Sequence, residues 1–161
     1  RRGAARGGQQ RKGSRLRVDF YHLAGGSVDR VLPRVAERVL ADGGRLLVVA
    51  GDEVAAERID AALWTYAPDS FLPHGRADEA DPERQPVLIG YAIDPANGAR
   101  NVALTDGVWR DDALDFDRAF HFFDDATLDA ARNAWRALKD RDGVERRFWK
   151  QDEQGRWTQA A

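Results

Sequence analysis

Three histidines, His22, His74 and His121, are the side chains of this chain that would change charge near neutral pH or ligate a transition metal. They lie far apart, form no H-x-x-x-H pair, and have no cysteine to join them, so their spacing supports no zinc site. Ser70, His74 and Asp69 contain the residue types of a hydrolytic triad. They are too close in sequence to converge as such a triad must, and no nucleophile elbow surrounds the serine. Pro68-Asp69 with Glu83-x-Gln85 approaches a nuclease layout but lacks its lysine. Between Pro73 and Gly75, His74 reads instead as a residue that holds its loop by a hydrogen bond.

Nucleotide chemistry fares no better. Asp52 follows the apolar run Leu46–Ala50, where a dinucleotide enzyme places its ribose-binding acid. Gly25-Gly26-Ser27 is not G-x-G-x-x-G, and no G-x-x-x-x-G-K-[ST] occurs, so Asp52 is expected to cap a helix. The pairs Asp111-Asp112 and Asp124-Asp125 read as solvated charges at helix N-termini. No catalytic residue, cofactor or metal is expected.

Two other groups suit protein contacts. Trp64, Tyr66, Phe71 and Leu72 spend large apolar side chains at a helix end and in the loop after it. Such residues either pack inward or anchor a partner, and the sequence leaves both readings open. Arg132, Arg136 and Lys139 recur at helical spacing beside Trp135, with Phe123 just before. That stripe is either a solvated face or a seat for an acidic peptide ending in an apolar residue and a free carboxylate.

The elements that would position these groups follow from periodicity. Leu16–Leu23 alternates as a strand, and Ser27 precedes a helix carrying Val31, Leu32, Val35, Val39 and Leu40 that stops at Asp42-Gly43-Gly44. Pro33 belongs in or near the first turn, or it kinks that helix. Further strands are predicted at 46–50, 87–89 and 101–105, with a helix after Gly51-Asp52-Glu53 that carries Ile59, Leu63 and Trp64 and helices at 113–123 and about 126–141. Arg147–Lys150 and Arg156–Thr158 read as a short closing strand and its tail. The order predicts an α/β fold: a three-layer, mainly parallel Rossmann-like sheet with helices on both faces, in a single domain.

Composition agrees with an ordinary globular chain. Of 161 residues, 43% are apolar and 32% charged, which supplies one core without disulfides, and no cysteine is present to form any. The net charge of −2 argues against bulk attraction to DNA. With no apolar run near the roughly 20 residues of a membrane span, a cytoplasmic setting is expected. Residues 1–15 carry six basic side chains and little apolar content, predicting a mobile basic extension ahead of a domain at 16–158.

Several motifs in order carry a family resemblance: Val18-Asp-Phe-Tyr-His22, Asp60-x-Ala-Leu-Trp64, Ser70-Phe-x-Pro-His74, Arg84-Gln-Pro-Val87 and Phe148-Trp-Lys150. Together they resemble the chi subunit of bacterial DNA polymerase III holoenzyme, over about Leu16 to Trp157. The resemblance implies a nucleotide-binding-like topology without the cofactor, in a non-catalytic accessory subunit associated with the clamp loader. It implies that Trp64, Phe71 and Leu72 hold the psi subunit, in a groove also implicated in docking helicase-like proteins. It implies that Arg132, Trp135, Arg136 and Lys139, with Phe123 as a pocket wall, bind the acidic C-terminal tail of single-stranded DNA-binding protein, which ends Pro-Phe. The chain departs from some members at Leu128, where they carry lysine, and by one extra residue before Gly143, which predicts modest, salt-sensitive tail binding. Two rival readings are a nucleotide-binding enzyme using Asp52 and a direct single-stranded DNA binder using Trp149, Trp157 and the basic N-terminal arm.

Overall fold

The computed structural model describes residues 15–67, 72–79 and 81–161. The basic extension therefore lies outside the described residues, apart from Arg15. Eleven elements are considered: β1 (Leu16–His22), α1 (Val28–Ala41), β2 (Leu46–Val49), α2 (Glu53–Trp64), β3 (His74–Arg76), β4 (Val87–Gly90), β5 (Asn101–Leu104), β6 (Arg118–Phe123), α3 (Leu128–Ala137), β7 (Val144–Gln151) and β8 (Trp157–Gln159). The strands form one sheet in the order β3-β4-β2-β5-β6-β1-β7-β8. Every neighbouring pair is parallel except β7 with β8.

This is the expected three-layer arrangement, and its cause is legible in the strands. β2 and β4 are Leu46-Leu-Val-Val49 and Val87-Leu-Ile-Gly90, buried at every position, so both faces of the sheet need covering. On one face Leu32, Ala36 and Val39 of α1 and Ala56, Ile59 and Leu63 of α2 pack over Leu46, Val48, Val87 and Ile89. On the other, Ala131, Ala134 and Leu138 meet Val18, Phe20 and Val102, beside Ala113 of a short 3-10 helix at Asp111–Asp115 and Phe116 just after it. Small alanines let α3 lie close to β1. No helix among the described residues is long and apolar enough to cross a membrane.

The helix ends follow sequence chemistry. Gly43, at φ +84°, and Gly44 donate backbone bonds to Leu40 and Val39 and stop α1. Asp52 caps α2 by accepting from the Ala55 amide at 2.8 Å. Ser27 occupies the N-cap of α1 but makes no side-chain capping bond. Pro33 is the sixth residue of α1 rather than part of its first turn, and it is buried there.

Larger differences lie in the second half. The helix expected at 113–123 is the 3-10 turn followed by strand β6. Residues 119–123 are buried throughout, because β6 runs between β5 and β1 with helices on both sides. A strand buried on both faces does not alternate, and its phenylalanines fell by accident at helical spacing. The helix expected over 126–141 ends at Ala137 after a separate 3-10 turn at Asp125–Thr127. The closing strand is longer than predicted, spans Val144–Gln151, and is followed by an antiparallel partner, β8. β3 has no counterpart in the sequence reading.

The central strands also bury a titratable group. His121 is fully buried among Phe20, Trp109 and Phe123, and neither ring nitrogen has a hydrogen-bond partner. Burial holds its pKa down to about 4; Asp106 raises it and Arg110 lowers it by smaller amounts. The folded value lies below the ordinary 6.5, so the unfolded chain binds the proton first. The stability contributed by neutral His121 is complete above pH 6.5 and is lost as the pH falls towards 4. Between pH 7.5 and 5 this amounts to about 2 kcal/mol. Urea unfolding at both pH values should show that loss in the parent chain and less of it in His121→Leu; equal losses would contradict the assignment.

Candidate protein-interaction sites

The first candidate site lies at the end of α2. Trp64, the last helical residue, is 57% exposed. Its ring meets that of His74 edge to face, with centroids 5.0 Å apart. His74 is pinned on both sides: Nε2 pairs with the Asp60 carboxylate at 2.7 Å and Nδ1 with the Leu72 carbonyl at 2.6 Å. The expected loop-holding role of this histidine is thus met by a link from α2 to the start of β3. Tyr66 donates its hydroxyl to Glu37 of α1 at 3.1 Å and leans on the core. Leu72 is only 4% exposed and belongs to the core, so it supports this surface from beneath. Phe71, with Ser70 and Asp69, lies outside the described residues.

The second candidate lies on α3. A capping box at its approach, in which Asp124 accepts from the Thr127 amide and Thr127 accepts from the Asp124 amide, fixes where the chain turns. Gly107, at φ +76°, passes so close that an added Cβ would stand 2.6 Å from the Thr127 hydroxyl. Along the helix, Arg132, Arg136 and Lys139 are exposed and Trp135 is half-buried. Among the described residues no carboxylate comes within 4.0 Å of these three cations, Asp129 of the same helix included. Among the described residues the Arg136 side chain bonds only to Asn133, at 2.6 Å.

The Trp135 ring faces inward, edge to face with Phe20 at 5.3 Å and Phe148 at 5.5 Å. A residue that the sequence reading missed also lies over this ring. The Arg146 guanidinium lies 4.0 Å from the ring centroid, and its Nη1 donates to the Trp135 carbonyl at 2.5 Å. Placing Arg146 there requires knowing that β7 begins at Val144, since Val144, Arg146 and Phe148 then share the face beneath α3. Phe123 belongs to the same aromatic cluster, on the far side of Phe20 and Phe148 from Trp135. It is 2% exposed and lines a cavity of about 200 Å³ with Leu23, Ser27, Asp106 and Thr127. Neither Trp135 nor the three helix cations line that cavity.

The same cavity is where an open parallel sheet would bind a nucleotide. β1 leads into α1 on one face and neighbouring β6 into α3 on the other, so it opens at the topological switch point. Its volume is below the usual range for small-molecule sites, roughly 300–1,000 Å³. Asp106 and Asp124 line it with negative charge. Burial raises the Asp106 pKa, but the bonds from Arg110, at 2.9 Å to each oxygen, hold it below the ordinary carboxylate value.

Comparison with known proteins agrees with the motifs. The family model for the DNA polymerase III chi subunit, HolC, matches residues 16–145. The DNA polymerase III subunit chi of Escherichia coli K12 is 27% identical over 119 residues, covering 70% of this chain and 79% of that protein. Its counterpart in Pseudomonas aeruginosa is 32% identical over 84 residues, covering 50% of this chain and 58% of that protein. Phe148-Trp-Lys150 lies past the matched segment. With the matched segment taking in the sheet core, α2 and all of α3, the chain belongs to the DNA polymerase III chi subunit family.

Proposed function

We propose that this accessory subunit bridges the psi subunit of the polymerase to the acidic C-terminal tail of single-stranded DNA-binding protein. The observation that carries the reading is the flank of α3: clustered cations without carboxylate partners among the described residues, beside a half-buried indole. Such charges gain little from one another and are available to an acidic ligand, whereas the arginines at Asp19, Glu145 and Asp106 are already neutralised. Arg132, Arg136 and Lys139 bind the acidic side chains of the tail, and Trp135 offers an edge to its terminal phenylalanine. Phe123, being buried, acts by backing the aromatic cluster.

The psi subunit binds at the other candidate site, where Trp64 stands out from α2 with His74 behind it and Leu72 supports it from beneath; the part proposed for Phe71 lies outside the described residues. Helicase-like proteins compete for the same place. α2 and α3 lie on opposite faces of the sheet, so both partners can be held at once. The subunit thereby raises the local concentration of the clamp-loader assembly at coated template. Contact with DNA is indirect or weak.

Fluorescence anisotropy with a labelled acidic peptide ending Pro-Phe tests the tail site. Arg132→Ala with Arg136→Ala should weaken binding at least about tenfold at low salt, in keeping with the loss of two charge-assisted contacts. Unchanged affinity would refute the assignment of α3. Trp64→Ala should cut psi capture by about tenfold or more while leaving the peptide affinity alone. Loss of both activities together would show that the two sites are not separate.

A further inference from the structure

The sheet face that carries α1 and α2 is not covered along its whole width. α1 leaves β1 for β2 and shares a core cluster with Phe120, Phe122 and Val48, on the side away from β7. No helix follows β7 among the described residues. The end of this face formed by β1, β7 and β8 therefore stays partly open, and Arg17, Tyr21, Arg147, Trp149 and Trp157 are half-buried rather than buried.

Two kinds of side chain meet there. By strand alternation Arg17, Asp19 and Tyr21 of β1 point to this side, opposite Glu145, Arg147 and Trp149 of β7. The Tyr21 ring stacks with Trp149, centroids 6.4 Å apart, and meets Trp157 edge to face at 5.1 Å, so three rings form one surface. Beside them cations outnumber carboxylates. Asp19 is shared by Arg118 and Arg17, each at 3.0 Å, which leaves one of the two in excess. Arg17 bonds through Nε alone, and its two Nη groups make no hydrogen bond among the described residues. Arg147 pairs with Glu145, whose carboxyl is held below its ordinary range chiefly by Arg147, with smaller contributions from Arg17 and Arg15. Four guanidinium groups thus surround two carboxylates, a local positive excess in a chain whose net charge is −2.

We infer that this arginine-flanked aromatic end of the sheet binds single-stranded DNA, directly but weakly. Unpaired bases stack on flat rings whatever their sequence, and phosphates seek cations that no carboxylate already matches. Tyr21, Trp149 and Trp157 supply the rings, and Arg15 and Arg17 the unmatched charge. Residues 1–14 add five more basic side chains and join the chain next to β1, which tethers their charge at the border of the same surface. A duplex hides its bases and would meet only the modest charge excess. An acidic peptide would use the cations but leave the rings idle. The inference uses neither protein site: α3 lies on the other face, and α2 packs over strands at the far end of the sheet.

The test is fluorescence anisotropy of a labelled oligothymidylate with the full chain at low salt. The parent chain should bind it, prefer it to a duplex of the same length, and lose tryptophan fluorescence on binding. Trp157→Ala, on the outermost strand, should weaken binding by about tenfold, the size of one base–aromatic stack. Trp157→Phe keeps a ring and should retain most of the affinity. Arg15→Ala with Arg17→Ala should flatten the slope of log affinity against log salt by about 1.4, for two phosphate contacts at roughly 0.7 each. Absence of binding by the parent chain, or equal competition by polyglutamate, would overturn the inference. Binding that survives all these substitutions and is lost only when residues 1–14 are removed would place the contact on the extension and overturn it too. None of these outcomes bears on the tail or psi readings.

Discussion

The arrangement depends on one buried carboxylate. Asp19, in the middle of β1, is fully buried, and no burial of a lone charge is tolerable without compensation. Its oxygens accept from Arg118 of β6 at 3.1 Å and from the Trp149 indole of β7 at 2.9 Å, and Arg17 stands 3.0 Å away. One side chain thus ties the three strands that carry the aromatic cluster. It also fixes parity: a one-residue slip of β7 would take Trp149 away from Asp19 and turn Arg146 to the face opposite α3. Arg146 and Trp135 meet at the flank of α3 only in the register that Asp19 favours.

With that register set, the sheet works as a spacer. α2 presents Trp64 on one face and α3 its basic flank on the other, with strands buried on both sides between them. The helices are anchored by apolar residues; Asp52 caps α2, and Asp124 caps the 3-10 turn that leads into α3. A rigid, close-packed core keeps two surfaces in fixed relation without coupling their occupancy. That suits the bridging function proposed above.

What could be read from the sequence reflects how locally each feature is determined. β2, β4 and β5 are apolar runs between turn signals, and the stop at Gly43 needs only its left-handed φ. The stripe of Arg132, Arg136 and Lys139 was visible because one helix period aligns it. β6 was misread because a central strand buried on both faces loses its alternation, and its Phe residues mimic a helix. β3, three residues including Gly75, exists through pairing with β4 rather than through its own propensity. Leu72 looked like surface by its place in a loop, but His74 pulls that segment onto the core. Arg146 could not be placed beside Trp135 without the β1–β7 register, which no local pattern encodes.

The central claim is that two partners occupy separate faces of one rigid domain. Its most direct test is the dissociation constant of the labelled acidic tail peptide measured without and with saturating psi subunit. The account predicts a ternary complex and an affinity unchanged to within about twofold, as expected for distant, independent sites. Displacement of the peptide by psi, or a marked loss of affinity in its presence, would contradict it.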